Sequence, residues 1–117
     1  MECHGEMTHV QKTARIRYLN DRLRSTGQGG RTVMTRAVAE LPPPALAKLM
    51  LQVRQFDDFT AGNDPHGEHD FGKVTVDGEA LFWKVDYYDV NLEYGSPDPS
   101  DDTVTCRVLT IMTAQDL

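Results

Sequence analysis

The sequence predicts an α+β fold, with two helices packed on a mostly antiparallel sheet in the order α-β-α-β-β-β. Three observations lead there. Apolar residues recur at helical spacing twice in the first half of the chain, from Ile16 to Leu23 and from Leu46 to Phe56. Asp77-Gly78 separates two runs of strand character, a strong short-range hairpin signal. The last apolar run, Val108 to Met112, is apolar on both sides near its end, as expected of a central strand buried by helices on one face and partly covered on the other.

Residues 1–8 read as a flexible N-terminal tail and 9–117 as one α+β domain, large enough to bury a core without disulfide or metal staples. Thr8 and Gln11 have capping-box spacing, so a helix is expected from about His9 to Ser25. Arg15, Arg17, Arg22 and Arg24 flank its apolar stripe, and Gly27, Gly29 and Gly30 end it. Arg31 to Val38 is short and β-branched and reads as a strand. Pro42-Pro43-Pro44 stops it and opens a second helix running to about Phe56, because the first turn leaves its amides unused.

A polar loop follows from Asp57 to Asp70, long enough for a functional role. The hairpin turn then sets the register, placing Val74 opposite Leu81 and Lys73 opposite Phe82. One side therefore carries Val74, Val76, Leu81, Trp83, Val85 and Tyr87 as core. The other carries Phe71, Lys73, Phe82, Lys84, Asp86 and Tyr88, a mixed aromatic and charged face. A second acidic loop, Tyr94 to Asp102, leads into the last strand, Thr103 to Met112.

Charge is unevenly laid out. Residues 1–54 carry nine Lys/Arg against four Asp/Glu, whereas residues 55–117 carry three against fourteen. Such asymmetry either steers a partner or is neutralised across the fold. A net charge of −6 disfavours direct binding of nucleic acid, whose phosphates reward cationic surfaces. The opening MECHGEMTH lacks the basic and apolar regions of a secretory signal, and no stretch has membrane-spanning length. Cys3 and Cys106 lie at opposite ends, with Cys106 inside an expected strand, so no bridge and a cytoplasmic location are expected.

The strings RIRYLND, GGRTVMTRAV, FDDFTAGNDPHGEHDFG, FWKVDYYD, GSPDP and RVLTIM resemble a domain-of-unknown-function family of small bacterial proteins (family number 3768), from about Arg15 to Met112. The resemblance implies association with plasmids and other mobile elements. It brings no activity, cofactor or catalytic residue. Small acidic proteins of such elements often bind and block a host protein, defence enzymes included.

Two site readings follow. The first is protein recognition without a cofactor. Phe71, Lys73, Phe82, Lys84, Asp86 and Tyr88 have the aromatic and charged composition of interface hot spots. Asp57, Asp58, Asp64, Glu68 and Asp70 stand ready to oppose a basic patch, and nucleic-acid mimicry is a coherent extension. The competing structural reading has this face covered by the long loop or by an oligomer partner. The second site reading is a metal-dependent hydrolase. His66, Glu68, His69 and Asp70 are ligand types that a divalent metal such as zinc takes, though their spacing matches no metalloenzyme signature. No serine or cysteine has a nucleophile motif around it, so the balance leans away from an enzyme.

Overall fold

The computed structural model of the chain describes residues 6–117; most of the expected tail, with Cys3 and His4, lies outside the described residues. Helix α1 spans His9–Thr26. Its capping box forms as expected: the Gln11 amide donates to Thr8 Oγ1 at 3.1 Å, and the Thr8 amide donates to Gln11 Oε1 at 2.8 Å. Gly27 ends the helix at φ 79°, a left-handed conformation that glycine adopts without steric cost. Ile16, Leu19 and Leu23 turn inward, accompanied by two buried polar residues, Asn20 and Arg24.

Strand β1 covers only Arg31–Met34. The expected strand to Val38 is corrected here: after Met34 the chain makes a single helical turn, α2 (Arg36–Ala39), which drops Val38 into the core at 0 % exposure. The Thr35 amide makes the last backbone bond to the sheet, donating to the carbonyl of Ile111. The β-branched composition suits a strand, but burying Val38 beneath the sheet requires a turn of helix. Helix α3 (Pro43–Arg54) opens on prolines as expected and buries Ala45, Leu49 and Val53.

The hairpin consists of β2 (Phe71–Val76) and β3 (Glu79–Tyr88). Asp77 and Gly78 both have positive φ (50° and 83°), the signature of a type I′ turn. Val74 pairs with Leu81 and Lys73 with Phe82, the expected register. Strand β4 (Cys106–Thr113) pairs antiparallel with β3 and parallel with β1, and a short 3₁₀ turn (Ala114–Asp116) closes the described chain. The sheet order is β1-β4-β3-β2. The class is α+β, but three helices accompany a mixed sheet, in place of two helices on a sheet of the expected order. The parallel β1–β4 contact arises because α2, α3 and the hairpin intervene before the chain returns beside β1.

All three helices contribute to one core on one side of the sheet, where Leu23, Val38 and Leu49 meet Leu81, Trp83, Leu109 and Ile111. Trp83 is its centre. Phe56 and Phe59 approach the indole edge-on, with centroids 5.4 and 6.2 Å away. Gly72 leaves room for that indole; a Cβ there would overlap Trp83 and come within 2.8 Å of Phe56 Cζ.

Candidate functional site

The long loop, residues 57–70, docks on α1. Arg17 Nη1 donates to the Gly67 carbonyl at 2.9 Å, and Asn20 Nδ2 donates to the Glu68 carbonyl at 3.0 Å. His69 stacks on Phe59 with ring centroids 3.6 Å apart and planes within 2°. Its Nδ1 lies 2.8 Å from Asp21 Oδ1, and its Nε2 lies 3.7 Å from Asp64 Oδ2. The ring is thus held between two carboxylates, and its backbone, at φ 55°, is fixed by a hydrogen bond that the His69 amide donates to Asp64 Oδ1.

The four residues of the metal reading are not gathered by this arrangement. Both ring nitrogens of His69 face carboxylates outside that set, Glu68 accepts a hydrogen bond from Tyr87, and His66 is exposed. Among the described residues no group of three His, Cys, Asp or Glu side chains converges in a way that could hold a metal ion. Asp70 is pushed up from the usual carboxylate value, first by burial and next by the negative charge of Glu68.

Beneath the loop runs a polar chain that sequence reasoning missed. Tyr87 Oη donates to Glu68 Oε1 at 2.8 Å and accepts from Asn20 Nδ2 at 2.8 Å. Asn20 Oδ1 accepts from Arg107 Nε at 2.7 Å, and Arg107 Nη2 donates to the Pro99 carbonyl. Burial raises the Tyr87 phenol well above its ordinary range and lowers Arg107 below its own. The chain ties both acidic loops to α1 and β4. One signal for it was present in the sequence: Arg107 occupies the same strand face as Leu109 and Ile111.

Part of the charge asymmetry is neutralised across the fold. Lys12 reaches Asp98 at 3.6 Å, and Arg22 reaches Asp102 at 3.8 Å. Asp98 is also held below the usual carboxylate range by the Ser100 hydroxyl, which donates at 2.6 Å. The expected acidic set therefore divides. Asp64, Glu68 and Asp70 are partly or largely enclosed by the loop and α1, whereas Asp57 and Asp58 are exposed.

The opposite face of the sheet carries all six expected recognition residues together. Phe71 and Phe82 stack with centroids 5.8 Å apart, and Lys84 reaches Asp86 at 3.1 Å. Lys73 and Tyr88 are exposed, and the other four are half-buried by their strand neighbours. Val108 and Thr110 of β4 and Val33 of β1 extend this face, while Met112, opposite Phe82, is buried. The long loop packs on the helix side and does not roof it.

Just past β3 an apolar turn escaped sequence reasoning. Asp89 Oδ1 accepts from the amides of Asn91 and Glu93, leaving Val90, Leu92 and Tyr94 exposed. The alternating V-x-L-x-Y was legible in the sequence, but its exposure depends on that turn.

No helix among the described residues is long and apolar enough to cross a membrane. No curated protein and no solved structure matches the chain. A family model does match, over residues 34–116, from the last residue of β1 through the acidic loop, hairpin and β4, and it leaves α1 outside the matched span. The chain belongs to the family described as Protein of unknown function (DUF3768).

Proposed function

We propose that this protein is a non-enzymatic binding module that occludes a partner protein with its open sheet face and the adjoining acidic rim. One observation carries the reading. The helices stack on one side of the sheet, leaving Phe71, Phe82 and Tyr88 among Lys73, Lys84 and Asp86 on the other, each of them exposed or half-buried. Antiparallel sheets tolerate one wet face, but that face is ordinarily polar. Exposed aromatic rings are enriched at interface centres, and lysine and aspartate belong to the polar rim around them.

A host or defence protein with a basic, nucleic-acid-binding surface is the class of partner proposed, consistent with an origin on a mobile element. Asp57 and Asp58 supply exposed negative charge at the rim, and the net charge of −6 favours encounter with a cationic partner. The hydrolase reading gains no comparable support, since its ligands do not converge.

Affinity capture from a bacterial lysate tests the proposal. The tag-free protein retains a partner in stoichiometric amount, and the Lys84→Glu/Tyr88→Asp variant, folded by Trp83 emission, does not. Equal recovery by both proteins, or none by either, contradicts it.

A further inference from the structure

Among the described residues both outer strands of the sheet have a free side, and the two sides differ. Strand β1 is only four residues long and begins at Arg31. Strand β2 is six residues long, and its hydrogen-bonding pattern shows which backbone groups it leaves over. The Val85 amide donates to the Asp70 carbonyl, so Gly72, Val74 and Val76 also turn their backbone groups toward β3. Phe71, Lys73 and Thr75 consequently turn theirs away. The Thr75 carbonyl is used by Gln52 Nε2 at 2.9 Å, which confirms the outward direction. The amides of Phe71, Lys73 and Thr75 have no acceptor among the described residues.

Beside this edge lies a groove of about 360 Å³ between β2 and the C-terminal end of α3, lined by Gln52, Gln55, Asp57, Asp58, Lys73 and Thr75. Its negative charge comes from the two exposed aspartates and from the carbonyl end of the helix, partly offset by Lys73. On the open face of the same edge stands the stacked Phe71–Phe82 pair. A lysine on an edge strand deters indiscriminate pairing, and Lys73 stands at this edge beside the two aspartates.

We infer that the β2 edge adds a strand from a partner: an extended peptide alternating basic residues, directed into the Asp57/Asp58 groove, with apolar residues directed toward Phe71. Strand addition supplies affinity through main-chain bonds and specificity through alternate side chains. Period-two alternation places every second residue on the same side, so one extended segment satisfies both halves of the site. A second copy of this chain fits less well, because it would bring two negatively charged molecules together. Resting on the protein-binding reading above, the inference names the part of the surface that recognises sequence.

The probe is a capped heptapeptide alternating arginine and valine, with an alternating glutamate and valine peptide as control. NMR-detected hydrogen exchange on the full chain is expected to show the amides of Phe71, Lys73 and Thr75 becoming protected with the arginine peptide and not with the control. Asp57→Asn/Asp58→Asn weakens binding by roughly fivefold, the scale expected of two exposed ion pairs. Two further peptides, N-methylated at all valines or at all arginines, separate backbone pairing from simple charge attraction. Only one set of amides faces β2, so one methylated peptide binds and the other does not. Equal binding of both overturns strand addition while leaving the protein-binding reading intact. Protection of the same three amides in a concentration-dependent dimer without peptide also overturns it, in favour of self-pairing. Failure of the arginine peptide to bind overturns it outright, and the lysate capture above then decides the broader reading separately.

Discussion

Arg107 Nε donates to Asn20 Oδ1 at 2.7 Å, joining the central strand to the first helix between two otherwise apolar layers. Both residues are essentially fully buried. The bond also aligns Asn20 to serve Tyr87 and the Glu68 carbonyl, so one side chain positions the long loop.

Removing that side chain strands its partners. Asn20→Ala leaves the Arg107 guanidinium and the Tyr87 phenol under-bonded in the interior, at a cost of about 2–4 kcal/mol. Urea denaturation followed through Trp83, the single tryptophan, measures it. A loss below about 0.5 kcal/mol, the range of an ordinary surface substitution, contradicts a structural role for the chain of bonds.

Gly72→Ala forces a methyl group against the buried indole of Trp83 and the ring of Phe56. Overpacking of this kind costs about 1–3 kcal/mol. The same denaturation assay reads it, together with a change in Trp83 emission that reports displacement of the indole.

Asp70 gives a pH dependence of defined sign. Its folded-state value is raised by burial and by Glu68, so the folded protein binds its proton more tightly than the unfolded chain does. Stability from this group is therefore greatest in acid and falls as pH rises through the raised value. Asp70→Asn is expected to raise the urea midpoint near neutral pH, with the gain disappearing below about pH 4, where unperturbed carboxylates protonate. Asp98 has the opposite sign: its value is lowered, so Asp98→Asn costs stability near neutrality and nothing in acid.

His69 tests the metal reading. Elemental analysis of tag-free protein is expected to find no stoichiometric metal. His69→Ala is expected to lose about 1 kcal/mol through the ring stack and the Asp21 contact, leaving metal content unchanged. Stoichiometric zinc lost on that substitution would restore the hydrolase reading.

Local chemistry was the legible part of the sequence. The Thr8–Gln11 cap and the Asp77-Gly78 turn act over a few residues, and both the helix start and the hairpin register follow from them. What escaped depends on distant partners. Nothing within RTVMTRAV distinguishes a strand that continues from one that breaks at Thr35; the break follows from the core site that receives Val38. The parallel β1–β4 pairing, the docking of residues 67–69 on Arg17, Asn20 and Asp21, and the partial neutralisation of the acidic loops by Lys12 and Arg22 all join segments far apart in sequence. The make-up of the open sheet face was legible because alternation along β2 and β3 is local once the turn fixes register. Its acidic companions were not, because enclosure of Asp64 and Glu68 depends on α1.

Amine-reactive footprinting of the complex tests the proposed surface most directly, since the four lysines divide between its two sides. Lys73 and Lys84 belong to the open face, while Lys12 and Lys48 sit on the helices and reach Asp98 and Asp77. With the partner bound, Lys73 and Lys84 are expected to lose reactivity while Lys12 and Lys48 keep theirs. Shielding of Lys12 and Lys48 with Lys73 and Lys84 still reactive would place the partner on the helices and contradict the account.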